Sequence, residues 1–385
     1  MRRLVAFDLV AGGTFVDAMR SCFDAGDAVL PLDQRLPPAA RRRLVEALRP
    51  AAVLGSDGEE RALRGALPVE EGDALVMATS GTTGTPKGVV LTHAAVAASA
   101  EATSAYLGVD PSTDRWLCCL PLAHVGGLSV VTRALHTGTA LEVLAGFDAE
   151  AVLAARRRGA TLVSLVPTTL RRLGGEGAAA FRRIVLGGSA PPEELAPNCV
   201  ATYGMTETGS GVVYDGLPLG GVEVRIGEGG EVMLRCPMLL RAYRDGTDPR
   251  DANGWLPTGD AGELGADGRL VVHGRLSDLV VSGGENVWPV EVETLLGRHP
   301  GVAEVAVAGV ADPEWGERLV AYVVPAPGLP VPALAELRAL VRDELGPWAA
   351  PKELVVVDAL PRTAIGKIRR AELAGGGRHR AGAAR

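Results

Sequence analysis

The chain has 385 residues, with 39 Lys+Arg against 46 Asp+Glu for a formal net charge of −7, 47% hydrophobic residues, 4% aromatic ones, 50 Gly and 26 Pro. That much apolar matter excludes a disordered or fibrous chain, and the length suits two domains. The acidic balance excludes a general nucleic-acid binder, no run approaches the roughly 18 uninterrupted apolar residues of a membrane span, and five cysteines without zinc spacing read as reduced thiols.

In chain order, Arg2 and Arg3 open a short apolar run that Asp8 breaks and Gly12-Gly13 end, so no signal peptide is expected and the location reads as cytoplasmic. The basic clusters at 41–43 and 156–158 read as solvated helix faces. Strands are predicted at 74–79, 116–120, 140–144, 161–166 and 183–186, with helical runs at 94–106, capped by Thr92, and at 149–158. This alternation predicts an α/β fold with largely parallel sheets. From 215 to 264 glycines punctuate short β runs at 222–226 and 231–235, a small β subdomain. Beyond Gly274-Arg275 an α+β unit follows. It has a helix at 288–298, strands at 302–310, 319–324 and 355–357, and Leu334, Leu337, Val341 and Leu345 at helical spacing.

The segment with most chemistry is Thr79-Ser80-Gly81-Thr82-Thr83-Gly84-Thr85-Pro86-Lys87-Gly88. Its glycines let backbone approach an anion, its four threonines and one serine offer hydroxyls, and Lys87 adds positive charge, which suits a polyphosphate. It is not a Walker A loop, which would need Gly at position 86 and Ser or Thr at 88.

This decapeptide resembles the phosphate loop of the ATP-dependent carboxylate-adenylating superfamily: acyl- and aryl-CoA synthetases, adenylation domains and luciferases. Further matches follow in the family's order: Pro121-Leu122-Ala123-His124-Val125-Gly126-Gly127, Gly187-Gly188-Ser189-Ala190, Tyr203-Gly204-Met205-Thr206-Glu207-Thr208, Trp255-Leu256-Pro257-Thr258-Gly259-Asp260, Gly274-Arg275 with Ser282-Gly283-Gly284-Glu285-Asn286, and Pro361-Arg362-Thr363-Ala364-Ile365-Gly366-Lys367.

The resemblance implies an α/β fold, with a large N-terminal domain at 1–274, of mixed, largely parallel sheets, carrying the small β subdomain. A hinge at 275–278, a small mobile α+β C-terminal domain at 279–370 and a disordered tail at 371–385 complete the expected division. It also implies roles. Thr79, Ser80, Gly81, Thr82, Thr83, Gly84 and Lys87 would hold the β- and γ-phosphates. Gly188, Ser189 and Ala190 would line the adenine side, and Tyr203 and Gly204 would belong to the ATP site. Thr206 would touch the α-phosphate, Glu207 would ligate Mg²⁺, and Asp260 with Arg275 would take the ribose. Lys367 would bridge carboxylate and α-phosphate in the transition state. His124, Gly127 and Leu128 would form the acid pocket, and Gly283 and Gly284 would leave a path for the pantetheine arm of CoA. The remaining histidines (His93, His136, His273, His299 and His379) read as structural or exposed.

Two departures stand out. The acid usually found two positions past the motif arginine is Ser277 here, with Asp278 one later. The phosphate loop also comes early, so the N-terminal subdomain reads as abbreviated. Leu120 to Ser129 together with Arg133 resembles the 2-succinylbenzoate–CoA ligases of menaquinone biosynthesis, and no acid in that stretch could pair an α-ammonium. The expected reaction is therefore acyl-adenylate then CoA-thioester formation, with ATP, Mg²⁺, CoA and a small carboxylic acid as ligands. Another aryl- or acyl-CoA ligase, or a free-standing enzyme loading a carrier protein, is the alternative, and an idle nucleotide-binding module is disfavoured by the presence of Lys367, Glu207 and Asp260. The sequence leaves the oligomeric state open.

Overall fold

The computed structural model describes residues 2–79, 86–192, 194–362 and 368–375. Their short apolar runs become strands buried on both faces, as parallel sheets require. The first sheet has seven strands in the order Ala242–Tyr243, Lys87–Thr92, Asp73–Thr79, Ala28–Pro31, Leu4–Asp8, Ala52–Gly55 and Glu60–Ala62. Its four middle strands, Asp73–Thr79 through Ala52–Gly55, run parallel, while Lys87–Thr92 returns antiparallel on Asp73–Thr79. The second runs Leu217–Pro218, Ser210–Tyr214, Cys199–Met205, Arg183–Leu186, Leu162–Leu165, Arg115–Cys118 and Ala140–Val143, with the last five parallel. Phe7, Phe15, Met77, Trp116, Leu128 and Tyr214 belong to one core that joins both sheets.

The helix His93–Leu107 starts where Thr92 Oγ1 accepts from Ala95 N at 3.1 Å and ends at Gly108, which takes the left-handed conformation (φ 58). The helix Val125–Thr137, packed against it, has no counterpart in the sequence reading. Its Gly127 is required by close approach: an added Cβ would lie 2.4 Å from Pro121 O and 2.6 Å from Leu120 O. The strand expected over 116–120 stops at Cys118 because the chain then turns, His124 N donating to Pro121 O at 3.2 Å.

A four-stranded sheet, Glu223–Ile226, Glu231–Arg235, Leu256–Leu264 and Leu270–Arg275, matches the β-rich texture read there. A five-stranded sheet follows in the order Glu285–Val287, Val280–Ser282, Gly316–Pro325 and Val302–Asp312, with Glu353–Val356 parallel on Gly316–Pro325. The helices Pro289–Leu296 and Leu334–Leu345 bury Val292, Leu296, Leu337 and Val341 against it. The described residues divide into two compact units. The first comprises those of Met1–Arg225, Met233–Pro257 and Leu264–Leu270, and the second those of Ile226–Val232, Thr258–Glu263 and Val271–Arg385. Among the described residues no helix is long and apolar enough to cross a membrane.

Candidate active site

In the first unit the residues singled out in the sequence, joined by the segment 32–35, gather at one kind of place. Segments 32–35, 119–124, 187–190 and 206–209 each follow the carboxyl end of a strand in the parallel parts of the two sheets. Crevices outside the carboxyl ends of strands are where open α/β sheets bind ligands. Thr79 and Lys87 face each other across an antiparallel pair, Thr79 Oγ1 donating to Lys87 O at 3.4 Å, so both ends of the Gly/Thr segment are held. Ser80, Gly81, Thr82, Thr83 and Gly84 lie outside the described residues.

Glu207 and Thr206 project from a single 3₁₀ turn, Thr206–Thr208. The turn is locked by the fully buried Thr208, whose Oγ1 accepts from Met205 N at 2.9 Å and lies 2.6 Å from Ser210 O. Gly204, where the strand pair is bulged, admits no side chain: a Cβ there would sit 2.3 Å from Ser210 O. The half-buried Tyr203 precedes it. Gly188 is left-handed (φ 86), and Ser189 and Ala190 are exposed after it.

A residue absent from the sequence reading stands between Lys87 and Glu207. The Tyr243 hydroxyl donates to Glu207 Oε1 at 3.0 Å, and Lys87 Nζ lies 4.8 Å from the centroid of its ring. Burial and the Glu207 carboxylate push the Tyr243 phenol well above its usual pKa, so it stays a donor at neutral pH. Glu207, half-buried and hydrogen-bonded through one oxygen, suits Mg²⁺, which is commonly held by one or two carboxylates plus substrate phosphates.

His124 caps the N-terminus of Val125–Thr137, and its Nε2 lies 3.1 Å from Asp33 Oδ2 and 2.9 Å from Arg35 Nη2. Asp33, buried, also receives Arg35 N, Nε and Nη2 at 2.7–3.0 Å. Burial opposes ionisation of Asp33, but the Arg35 and His124 hydrogen bonds outweigh it and hold the carboxyl far below the usual range. A depressed carboxyl stabilises the fold above its unfolded pKa and loses that contribution as pH falls toward its folded value. Asp33→Asn is therefore expected to cost on the order of 1–3 kcal/mol at pH 7. In urea unfolding, the gap to the wild type should begin to close below about pH 4. A gap unchanged down to pH 2.5 would remove the charge from this account.

On the buried side of the same helix, Gly127 and Leu128 pack into the core, and Arg133 is 1% exposed. Arg133 Nη2 reaches Ser210 Oγ at 3.1 Å and Ser129 Oγ at 3.4 Å, and its guanidinium lies 5.0 Å from the Trp116 ring centroid. Its Nε and Nη1 have no hydrogen-bond partner among the described residues. Ser129, Leu128 and Val125 line a cavity with Gly209, which follows the Glu207 turn.

In the second unit, Arg275 Nε lies 2.9 Å from Asp260 Oδ1, and Arg275 Nη1 donates to Thr258 O at 2.8 Å. Asp260 is buried, and its backbone N donates to Thr258 Oγ1 at 3.1 Å. Gly283 and Gly284 are left-handed (φ 63 and 87) and exposed. A Cβ on Gly283 would sit 2.9 Å from the Trp315 ring, whereas one on Gly284 would meet nothing within 4 Å. Asp278 accepts from Arg370 Nη1 at 3.0 Å, while Arg370 also pairs with Glu293 at 2.7 Å. Lys367 lies outside the described residues. Of the histidines without motif support, His93 packs edge-on to Phe23, His136 and His273 pair with Glu101 and Glu291, and His299 Nδ1 accepts from Gly301 N; His379 lies outside the described residues.

A first unit with glycine-rich and acidic turns at the carboxyl ends of parallel strands, and a smaller second unit built on a mainly antiparallel sheet, give an α/β architecture suited to an enzyme. The model of the AMP-binding enzyme family matches residues 58–274, and that of the AMP-binding enzyme C-terminal domain matches 291–367. A probable 2-succinylbenzoate–CoA ligase of Mycobacterium tuberculosis is 40% identical over 334 residues, covering 81% of this chain and 86% of that protein. The solved o-succinylbenzoate CoA synthetase of Bacillus subtilis with its acyl-adenylate intermediate superposes at a TM-score of 0.85. It is 32% identical, and the match covers 97% of this chain and 88% of that one. The same enzyme in complex with ATP and magnesium ion gives a TM-score of 0.84 at 31% identity, over 97% and 90% of the two chains. The chain belongs to the AMP-binding enzyme family.

Proposed function

We propose that the chain is an ATP-dependent acid–thiol ligase that adenylates 2-succinylbenzoate and passes the acyl group to CoA, acting in the cytoplasm, where its five unpaired cysteines would stay reduced. In the first half-reaction a carboxylate oxygen attacks the α-phosphorus of ATP, and the bond to the departing pyrophosphate breaks. In the second the CoA thiolate attacks the acyl carbon and AMP leaves. Both partners of the first step are anionic, so its barrier is largely repulsion and alignment. Lys87 and the Gly/Thr segment hold the outer phosphates, Thr206 touches the α-phosphate, and Asp260, oriented by Arg275, takes the ribose hydroxyls. Glu207 would hold Mg²⁺, which when bound would supply positive charge to the phosphates. The segment 275–278 is the hinge of the rearrangement between the two halves, and Gly283 and Gly284 leave the pantetheine arm its path.

Arg133 is the observation that carries the choice of acid. A buried guanidinium with two unpaired nitrogens is costly unless something pairs it. A substrate with a second carboxylate beyond the reacting one would do so. The helix that carries Arg133 also carries Leu128 and Ser129 at the cavity wall and His124 at its cap.

The test is incubation with Mg·ATP, CoA and a panel of 2-succinylbenzoate, simple benzoates, medium-chain fatty acids and amino acids, read as thioester by mass. A 2-succinylbenzoyl-CoA product favoured by about 10² or more over benzoate is expected, in keeping with sites that pair a polar substrate group. Pyrophosphate release without a CoA adduct would instead favour a carrier-protein acceptor.

A further inference from the structure

We propose that Tyr243 is a positioning residue of the phosphate site: its hydroxyl sets the Glu207 carboxylate for the divalent cation, and its ring face seats the Lys87 ammonium. The proposal rests on the reading of Glu207 as the cation's ligand.

Tyr243 is itself firmly placed. It closes the two-residue strand Ala242–Tyr243, in antiparallel register with Val89 and Val90 of the strand that begins at Lys87. Tyr243 N donates to Thr247 O at 2.8 Å, and Arg244 N to Gly88 O at 2.7 Å. The Arg244 side chain then ties the strand to the carbonyls of Leu48, Leu67 and Pro68. The same segment grips Glu207 twice. Leu240 N donates to the Glu207 main-chain carbonyl at 2.7 Å, and the Tyr243 hydroxyl donates to Oε1 at 3.0 Å.

An ionised carboxylate offers about four acceptor positions on two oxygens. With Oε1 engaged by a fixed phenol, one rotamer is selected and Oε2 is left for a cation. Groups that hydrogen-bond a ligating carboxylate typically change metal affinity 10–100-fold when removed. The ring does a second job. Lys87 is exposed, on a flexible four-carbon stem, and the aromatic face 4.8 Å away gives its ammonium a preferred resting place beside the Gly/Thr segment before any phosphate arrives. One side chain thereby couples the cation side and the lysine side of a single polyphosphate.

The experiment uses the full chain without acid substrate, so that no turnover occurs. Mn²⁺ binding in the presence of ATP is followed by electron paramagnetic resonance, and ATP binding by calorimetry with Mg²⁺ or with chelator. Y243F is expected to weaken Mn²⁺ binding in the ternary complex 10–100-fold while changing metal-free ATP affinity less than about 2-fold. Y243L, which also removes the ring, should weaken metal-free ATP binding a further several-fold. Mn²⁺ affinity within about 2-fold of wild type in Y243F, with E207Q losing it, would overturn the positioning role. If E207Q itself keeps full Mn²⁺ affinity, the assignment of the metal to Glu207 fails first and carries the proposal with it.

Discussion

Lys367→Ala is expected to lower the rate of acyl-adenylate formation by on the order of 10²–10³, the usual cost of deleting one fixed group that stabilises developing charge. Thioester formation from supplied acyl-adenylate should change by no more than a few-fold. The asymmetry follows from the charges. In the first half-reaction an acid anion would meet the α-phosphate, and a lysine bridging them would act only there. In the second the attacking group is a thiolate on a carbonyl, and the phosphate merely leaves. The described residues on either side of the segment 363–367 are held. Arg362 and Ile368 pair as an antiparallel bridge, and Arg369 N donates to Pro361 O at 2.9 Å, so both flanks of 363–367 are pinned together. Three residues beyond Lys367, Arg370 is fastened to Glu293 and to Asp278, while Arg362 pairs with Glu304 at 2.8 Å. Single-turnover measurement of each half-reaction decides the matter. Equal losses in both would mean that Lys367 holds the fold or the nucleotide rather than the transition state.

Much of the scaffold was legible because its signals are local. The strands Arg183–Leu186 and Glu231–Arg235 have the expected bounds, and His93–Leu107 and Ala149–Arg157 lie within a residue of theirs. Those runs carry their own punctuation: Thr92 and Asp148 as caps and Gly108 as a stop. The helix Val125–Thr137 was missed because its double glycine reads as a loop, whereas Gly127 is there for close packing on the 120–121 backbone. Over the first 70 residues the sequence marks a helix face at 41–43, which falls in the helix Pro38–Leu48, but no strand. Three of the four strands there are four or five residues long and largely buried, and the fourth, Glu60–Ala62, has three exposed residues, so neither alternation nor length marks them.

The candidate site was legible where a motif concentrates it, and silent where it is assembled from afar. Glu207 and Tyr243 are 36 positions apart, and Asp33 and His124 are 91. No periodicity joins such pairs; only sheet register does, by pairing Tyr243 with Val89. The segment 275–278 is similar. The sequence shows that Asp278 stands one place late, but not that it is held by Arg370, an interaction across 92 positions.

Arg133→Met should separate stability from function in opposite directions. Burial pulls the Arg133 pKa down, and no described carboxylate accompanies it. Replacing even a buried ion pair by apolar residues of similar volume is often neutral or stabilising, by about 1–4 kcal/mol, and a buried ion without a carboxylate partner has less attraction to lose. Ser129 and Ser210, which it now binds, lie 3.4 Å apart Oγ to Oγ and can satisfy each other once it is gone. The melting temperature is therefore expected to hold or to rise by a few degrees. Adenylation of 2-succinylbenzoate, by contrast, should lose on the order of 10²-fold or more in kcat/KM, mostly through KM, since the acid's second carboxylate would have no partner. Activity on benzoate, which has no second carboxylate, should change little, so discrimination between the two acids collapses. A residue kept at a cost in stability and needed by one substrate only is the mark of a recognition site. A sharp fall in melting temperature with unchanged discrimination would place Arg133 in the core as a structural group and leave the choice of acid to other residues.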